Sequence, residues 1–150
     1  MNFRDSIKAQ NSILILWSIF IVSFDQLSKI WAGSIKGPTS FLFFSFEKYY
    51  NPGISFGQFS SGSPFIRVVF LSVFFGVILL LSTIFLFYFL NRVKLFWLRF
   101  SLITFVSGIM GNGFDRILLG KVVDFIIMKP IDQIVFNVAD VFLAIGAVSS

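Results

Sequence analysis

Charge is missing from most of this chain, and the places where it is missing limit what the chain can fold into. No Asp, Glu, Lys or Arg occurs from Ala9 to Phe24, from Val68 to Leu90 or from Phe100 to Phe114, and the run from Ile134 to Ser150 carries one acid, Asp140. About 20 consecutive apolar residues suffice to cross a hydrocarbon core of roughly 30 Å as a helix. Residue usage agrees: 57% of the chain is hydrophobic, 23 residues are Phe and only 13% are charged, too little charge to keep a domain of this size dissolved. The formal net charge of +5 does not point to nucleic acid. The Lys and Arg residues stand at the ends of apolar runs, where they anchor spans at a membrane surface.

These runs predict an all-α membrane protein, one domain over 1–150, built as a four-transmembrane-helix bundle with spans at about 10–31, 65–90, 96–116 and 134–150. Arg4 and Lys8 ahead of an apolar core imitate a signal peptide. The continuation through Asp25 and Lys29 into Ile30-Trp31-Ala32 lacks the small neutral residues of a cleavage site, so a retained first helix is expected. A polar-aromatic segment at about 33–64 holds three of the four prolines, and its run Phe41-Leu42-Phe43-Phe44-Ser45-Phe46 reads as a small β element at the interface. The polar stretch from Asp115 to Gln133 reads as a loop, and the fourth run is marginal as a full span. Arg92 and Lys94 crowd the short link between spans two and three, which places that link and both termini in the cytoplasm. In an up-down bundle, Asp25 with Lys29, Asn51, the Asn112 to Asp124 stretch and Asn137 with Asp140 then converge at one membrane face.

The available chemistry is narrow. With no Cys and no His, thiol nucleophiles, Ser-His and Cys-His arrangements and histidine-bearing zinc sites are excluded. Carboxylates remain, or a serine activated by lysine, but Ser28 beside Lys29 points elsewhere on a helix. Asp25 and Lys29, four apart, read as a structural ion pair at the membrane edge with Lys29 snorkelling to the headgroups. Asn51-Pro52-Gly53 reads either as a turn or as an amide that grips a peptide backbone. Asn112, Asp115 and Arg116 share a helical face. Arg116 there either holds a carboxylate or lipid phosphate, or joins Asp115 in a charge cluster capping the helix.

Asn137 suits a helix N-cap, with Asp140 at the third helical position. A lone acid within an apolar run is expensive, and Asp124 is the free acid nearest to Asp140 in chain and topology. Two carboxyls a few ångströms apart keep one proton between them. They then supply a general base and a general acid, enough to activate water and to protonate the leaving amine of a peptide. Asp140, at a helix N-terminus, is the readier carboxylate. A proton- or ion-coupled transporter and a non-enzymatic lipid-binding protein, with Arg116 on a phosphate, are the competing classes.

Five motifs occur in order: Asp25-Gln26-x-x-Lys29, Asn51-x-Gly53-x-x-Phe56-Gly57, Gly111-Asn112-x-x-Asp115-Arg116, Val122-Val123-Asp124-Phe125 and Phe136-Asn137-x-Ala139-Asp140. Together they resemble the lipoprotein signal peptidase (signal peptidase II) family. The resemblance implies an aspartyl endopeptidase of the bacterial inner membrane, its active site towards the outer face, needing no metal or organic cofactor. Asp124 and Asp140 would form the catalytic dyad. Asn51, Gly53, Asn112, Arg116 and Asn137 would position substrate or dyad, while Asp25, Lys29 and Asp115 would brace the fold. The implied substrate is a diacylglyceryl prolipoprotein cut before its lipidated cysteine, with membrane lipids as surroundings and a monomer as the working unit. The family fold is a four-helix membrane bundle with a small β element on the outer face, which suits the Phe41 to Gly57 segment.

Overall fold

The computed structural model describes residues 3–52, 95–129 and 134–149, together with 69, 73, 76–78, 80–82 and 84, which are helical. Most of the expected second span, the link after it and Gly53 therefore lie outside the described residues. The elements run α1 (Phe3–Ala32), β1 (Thr39–Phe41), β2 (Phe44–Asn51), α2 (Phe96–Leu119), β3 (Val122–Met128), β4 (Val135–Phe136) and α3 (Val138–Val148).

In α1, Leu14, Ile21, Asp25, Lys29 and Ala32 are buried, and their spacings of three, four or seven form one stripe along the helix. The other faces leave Ile13, Leu16, Ile19, Phe20, Phe24, Leu27 and Ile30 exposed. An apolar surface of this extent suits a bilayer rather than water. Among the described residues, α1 from Ile7 and α2 are the two helices long and apolar enough to cross a membrane. Small residues let the helices approach. A Cβ on Gly146 would stand 2.5 Å from the backbone nitrogen of Phe105, and one on Gly108 would stand 2.7 Å from the carbonyl oxygen of Ala139. α2 and α3 therefore touch backbone to backbone, the packing that replaces hydrophobic drive inside lipid. Trp17 Nε1 donates to Thr104 Oγ1 at 3.0 Å and Ser107 Oγ to Ser18 Oγ at 2.8 Å, polar links between α1 and α2.

The polar ends carry more β structure than expected. One antiparallel sheet has the order β1-β2-β3-β4, and its most buried strand, β3, occupies the stretch after α2 that reads as a loop. The reason is chemical: Val122-Val123-Asp124-Phe125-Ile126-Ile127 is β-branched and covered on both faces, so it lacks the alternation by which a half-exposed strand is recognised. The third helix also outruns its expected end near residue 116. It closes only at Gly120, whose left-handed φ of 68° lets its N–H reach the carbonyl of Arg116 at 3.0 Å, the usual glycine stop. The last helix starts later than residue 134, because Val135 and Phe136 pair with Ile127 and Ile126. Its 11 residues span only about 16 Å at 1.5 Å per residue.

Candidate active site

Four elements bring polar groups to one place. Asn51, at the end of β2, is registered opposite Val122, so its side chain reaches along the sheet to Asp124 on the next strand. Asn51 Nδ2 donates to Asp124 Oδ2 at 3.1 Å. Asn137 caps α3 with a full capping box. Its Oδ1 accepts the Asp140 N–H at 3.0 Å, and its own N–H donates to Asp140 Oδ2 at 3.1 Å. The other end of the same amide, Nδ2, donates to Asp124 Oδ1 at 2.7 Å. One residue thus holds both acids, Asp124 by its side chain and Asp140 by its backbone.

Asn112, inside α2, completes the ring. Its Nδ2 donates to Asp140 Oδ1 at 2.8 Å, and its Oδ1 accepts from Asn137 Nδ2 at 2.9 Å and from Lys29 Nζ at 3.1 Å. Arg116 Nη1 donates to the Asn112 carbonyl at 3.2 Å, and its charge lies within range of Asp124, Asp140 and Asp115. Asn51, Asn112, Arg116, Asp124 and Asp140 all line a cavity of about 590 Å³, whose remaining wall is apolar, with Ile109, Leu143 and Ala144 among its lining. Burial, and then the charge of Asp140, push the Asp124 carboxyl up to about 6, against the hydrogen bonds from Asn51 and Asn137 and the charge of Lys29. Desolvation outweighs the amides because neutral donors compensate a buried carboxylate only in part.

Behind this ring sits a second polar cluster. Lys29 does not snorkel. It is 5% exposed and pairs with Asp25 Oδ2 at 2.7 Å and Asp115 Oδ2 at 3.0 Å. The burial follows from position, since Asp25 and Lys29 lie on the same stripe of α1 that meets α2. Asp115 and Arg116 also part company. Asp115 turns to Lys29, to Gln26 and to the Val123 N–H at 3.0 Å, while Arg116 lines the cavity.

Gln26, part of the first motif, has no role that residue spacing alone assigns. Its Nε2 lies 3.1 Å from Asp25 Oδ2, 3.1 Å from the Gly111 carbonyl and 3.0 Å from Asp115 Oδ1. The signal was an amide in an otherwise apolar stretch, which needs partners as much as an acid does. The Ala139 N–H, bonded to Asp25 Oδ1 at 2.9 Å, had no signal, because backbone donors are invisible in residue types. Gly111 gives the two clusters their contact: a Cβ there would lie 2.6 Å from Asp25 Oδ2.

Known proteins resemble this chain over most of its length. A lipoprotein signal peptidase of Clostridioides difficile (strain 630) is 34% identical over 143 residues, covering 91% of this chain and 90% of its own length. One of Synechocystis sp. (strain ATCC 27184 / PCC 6803 / Kazusa) is 31% identical over 140 residues, with 88% and 82% covered. A solved bacterial membrane enzyme matches with a TM-score of 0.75 at 28% identity, covering 92% of this chain and 84% of the other. The family model described as signal peptidase (SPase) II matches residues 17–150, a range that contains both polar clusters and every strand, and on that match the chain belongs to the signal peptidase II family.

Proposed function

We propose that this peptidase removes the signal peptide from diacylglyceryl prolipoproteins by aspartyl chemistry, with Asp124 and Asp140 as its catalytic dyad. The observation that carries the reading is the shared anchor: Asn137 donates to Asp124 through Nδ2 and to Asp140 through its backbone N–H, beside a cavity that both acids line. Asp140, at the N-terminus of α3, lies where the helix dipole favours negative charge and serves as general base. Asp124, with its carboxyl pushed up to about 6, serves as general acid, although the proton belongs to the pair.

Asp140 takes a proton from water as the oxygen adds to the carbonyl carbon that precedes the lipidated cysteine. The tetrahedral centre then collapses, the C–N bond breaks, and Asp124 protonates the departing cysteine nitrogen. Proton return between the acids resets the site. Asn51, Asn112 and Arg116 present donors to the peptide carbonyls and to the developing oxyanion. Asp25, Lys29 and Asp115 brace the helices.

The whole of 1–150 acts as one domain, a monomeric four-helix bundle in the bacterial inner membrane, with the sheet and the dyad at the outer face. The apolar cavity wall suits a substrate that stays in the bilayer. Each buried methylene of its acyl chains contributes roughly 0.8 kcal/mol, enough to hold a weak peptide motif at the dyad.

The test is processing in proteoliposomes of paired precursors with one peptide sequence, one bearing diacylglycerol on the cysteine and one without it. Mass spectrometry of the products should show cleavage immediately before the lipidated cysteine and none of the unmodified partner. Equal cleavage of both precursors overturns the substrate assignment, and cleavage elsewhere overturns the register.

A further inference from the structure

We propose that Lys29, beyond bracing the helices, is a positioning residue for the dyad: its ammonium holds the Asn112 amide and places a positive charge one side chain behind both acids. This rests on the dyad reading above and deepens it. A lysine ammonium has three protons and accepts nothing. Here two of them go to Asp25 Oδ2 at 2.7 Å and Asn112 Oδ1 at 3.1 Å, while Asp115 Oδ2 stands at ion-pair distance, 3.0 Å.

The two ion pairs suffice for a brace, and both acids are well supplied without a third role for lysine. Asp25 also receives Gln26 Nε2 and the Ala139 N–H, and Asp115 receives Gln26 Nε2 and the Val123 N–H. The other hydrogen bond goes forward to the site. Asn112 Oδ1 accepts it, and Asn112 Nδ2, the other end of the same amide, donates to Asp140 Oδ1 at 2.8 Å. Asn112 Oδ1 also accepts from Asn137 Nδ2, which in turn bonds Asp124 Oδ1. An amide polarised at its oxygen by a cation is a stronger donor at its nitrogen, so the charge of Lys29 acts on Asp140 through one amide and on Asp124 through space.

The charged and titratable groups facing the dyad come from each neighbouring element. They are Lys29 on α1, Arg116 on α2, and the two acids themselves on β3 and α3; β2 contributes the neutral Asn51, and Asp25 and Asp115 face Lys29 from behind. Of these, Lys29 donates to the side-chain amide of Asn112, which bonds Asp140.

The experiment is the pH profile of kcat/KM on lipidated precursor for the wild-type chain, Lys29→Arg, Lys29→Met and Asp25→Asn/Lys29→Met. Removing the cation favours the protonated acids, so the acid limb should move upward by about half a unit to one unit in Lys29→Met. Lys29→Arg keeps the charge, and its limb should stay in place even where the rate falls. The double variant keeps the net charge of the buried cluster and guards against misfolding, and its limb should move in the same direction as that of Lys29→Met. A limb that stays put in the double variant while the rate drops reduces Lys29 to a brace and overturns the proposal, as does an equal shift in Lys29→Arg. A wild-type chain that leaves the lipidated precursor whole overturns the dyad reading instead, so the two failures are separable.

Discussion

Two pairs of carboxylates lie within a few side chains of each other, and they are kept in opposite ways. Asp25 and Asp115 flank a buried lysine in two ion pairs, and each also receives two neutral donors. Asp124 and Asp140 receive neutral amides: Asn51 and Asn137 on one, Asn112 and the Asn137 backbone on the other. A cation at salt-bridge distance offsets the charge of a buried carboxylate and uses up its lone pairs. Neutral amides hold a carboxylate in place but favour its anion less, and at Asp124 burial outweighs them. Residue type is therefore not what separates a bracing acid from a reacting one; the donors around it are.

The contrast breaks first, and most widely, on activity. Asp124→Asn or Asp140→Asn keeps shape and removes a proton-transfer group, so processing of lipidated precursor should fall by about 10²–10⁴-fold while the variant stays folded. Asp25→Asn should do the reverse. It removes the closer of the two ion pairs of Lys29, and a hydrogen bond to a charged group contributes about 1.5–3 kcal/mol, read as a lower unfolding midpoint in detergent. The rate per folded molecule should stay within a few-fold of wild type. If Asp25→Asn abolished turnover in a fully folded sample, the division between the two clusters would fail.

That division was only partly legible in the residues. Asp25 and Lys29 at i and i+4 announced a pair, and Asn137 with Asp140 announced a cap, because both are local patterns with fixed spacing. The burial of Lys29 was not announced: snorkelling and ion pairing use the same residue, and only the α1 to α2 contact decides between them. Likewise Val122 to Met128 carried no strand alternation, since a strand buried on both faces has none to show. What placed Asp124 beside Asp140 was the pairing of β3 with β2 and β4, a long-range register that no local pattern encodes.

Titration sharpens the contrast further. The Asp124 carboxyl is pushed up to about 6 from an ordinary 3.8, so between those values the folded chain binds more protons than the unfolded one. Stability from this group is fully present below about pH 4 and is lost as pH rises through about 6, a change of about 3 kcal/mol for a shift of two units. The difference in unfolding free energy between wild type and Asp124→Asn, followed from pH 4 to 7, should show that slope. A slope of the opposite sign would mean that the amides and Lys29 outweigh burial.

The smallest effect isolates the residue shared by both acids. Serine is as good an N-cap as asparagine, so Asn137→Ser keeps an acceptor for the Asp140 N–H and the start of α3 intact. It removes Nδ2, and with it the donor to Asp124 Oδ1 and to Asn112 Oδ1. The unfolding midpoint should barely move, while kcat should fall by about 10-fold, the equivalent of roughly 1.4 kcal/mol and within the range of one lost hydrogen bond to a charged group. Asn137→Ala, which removes cap and donor together, should add a stability loss of about 1 kcal/mol to the same fall in rate. Equal behaviour of the two variants in both measurements would show that the cap alone explains Asn137. A rate loss in Asn137→Ser without a stability loss assigns its amide to the dyad.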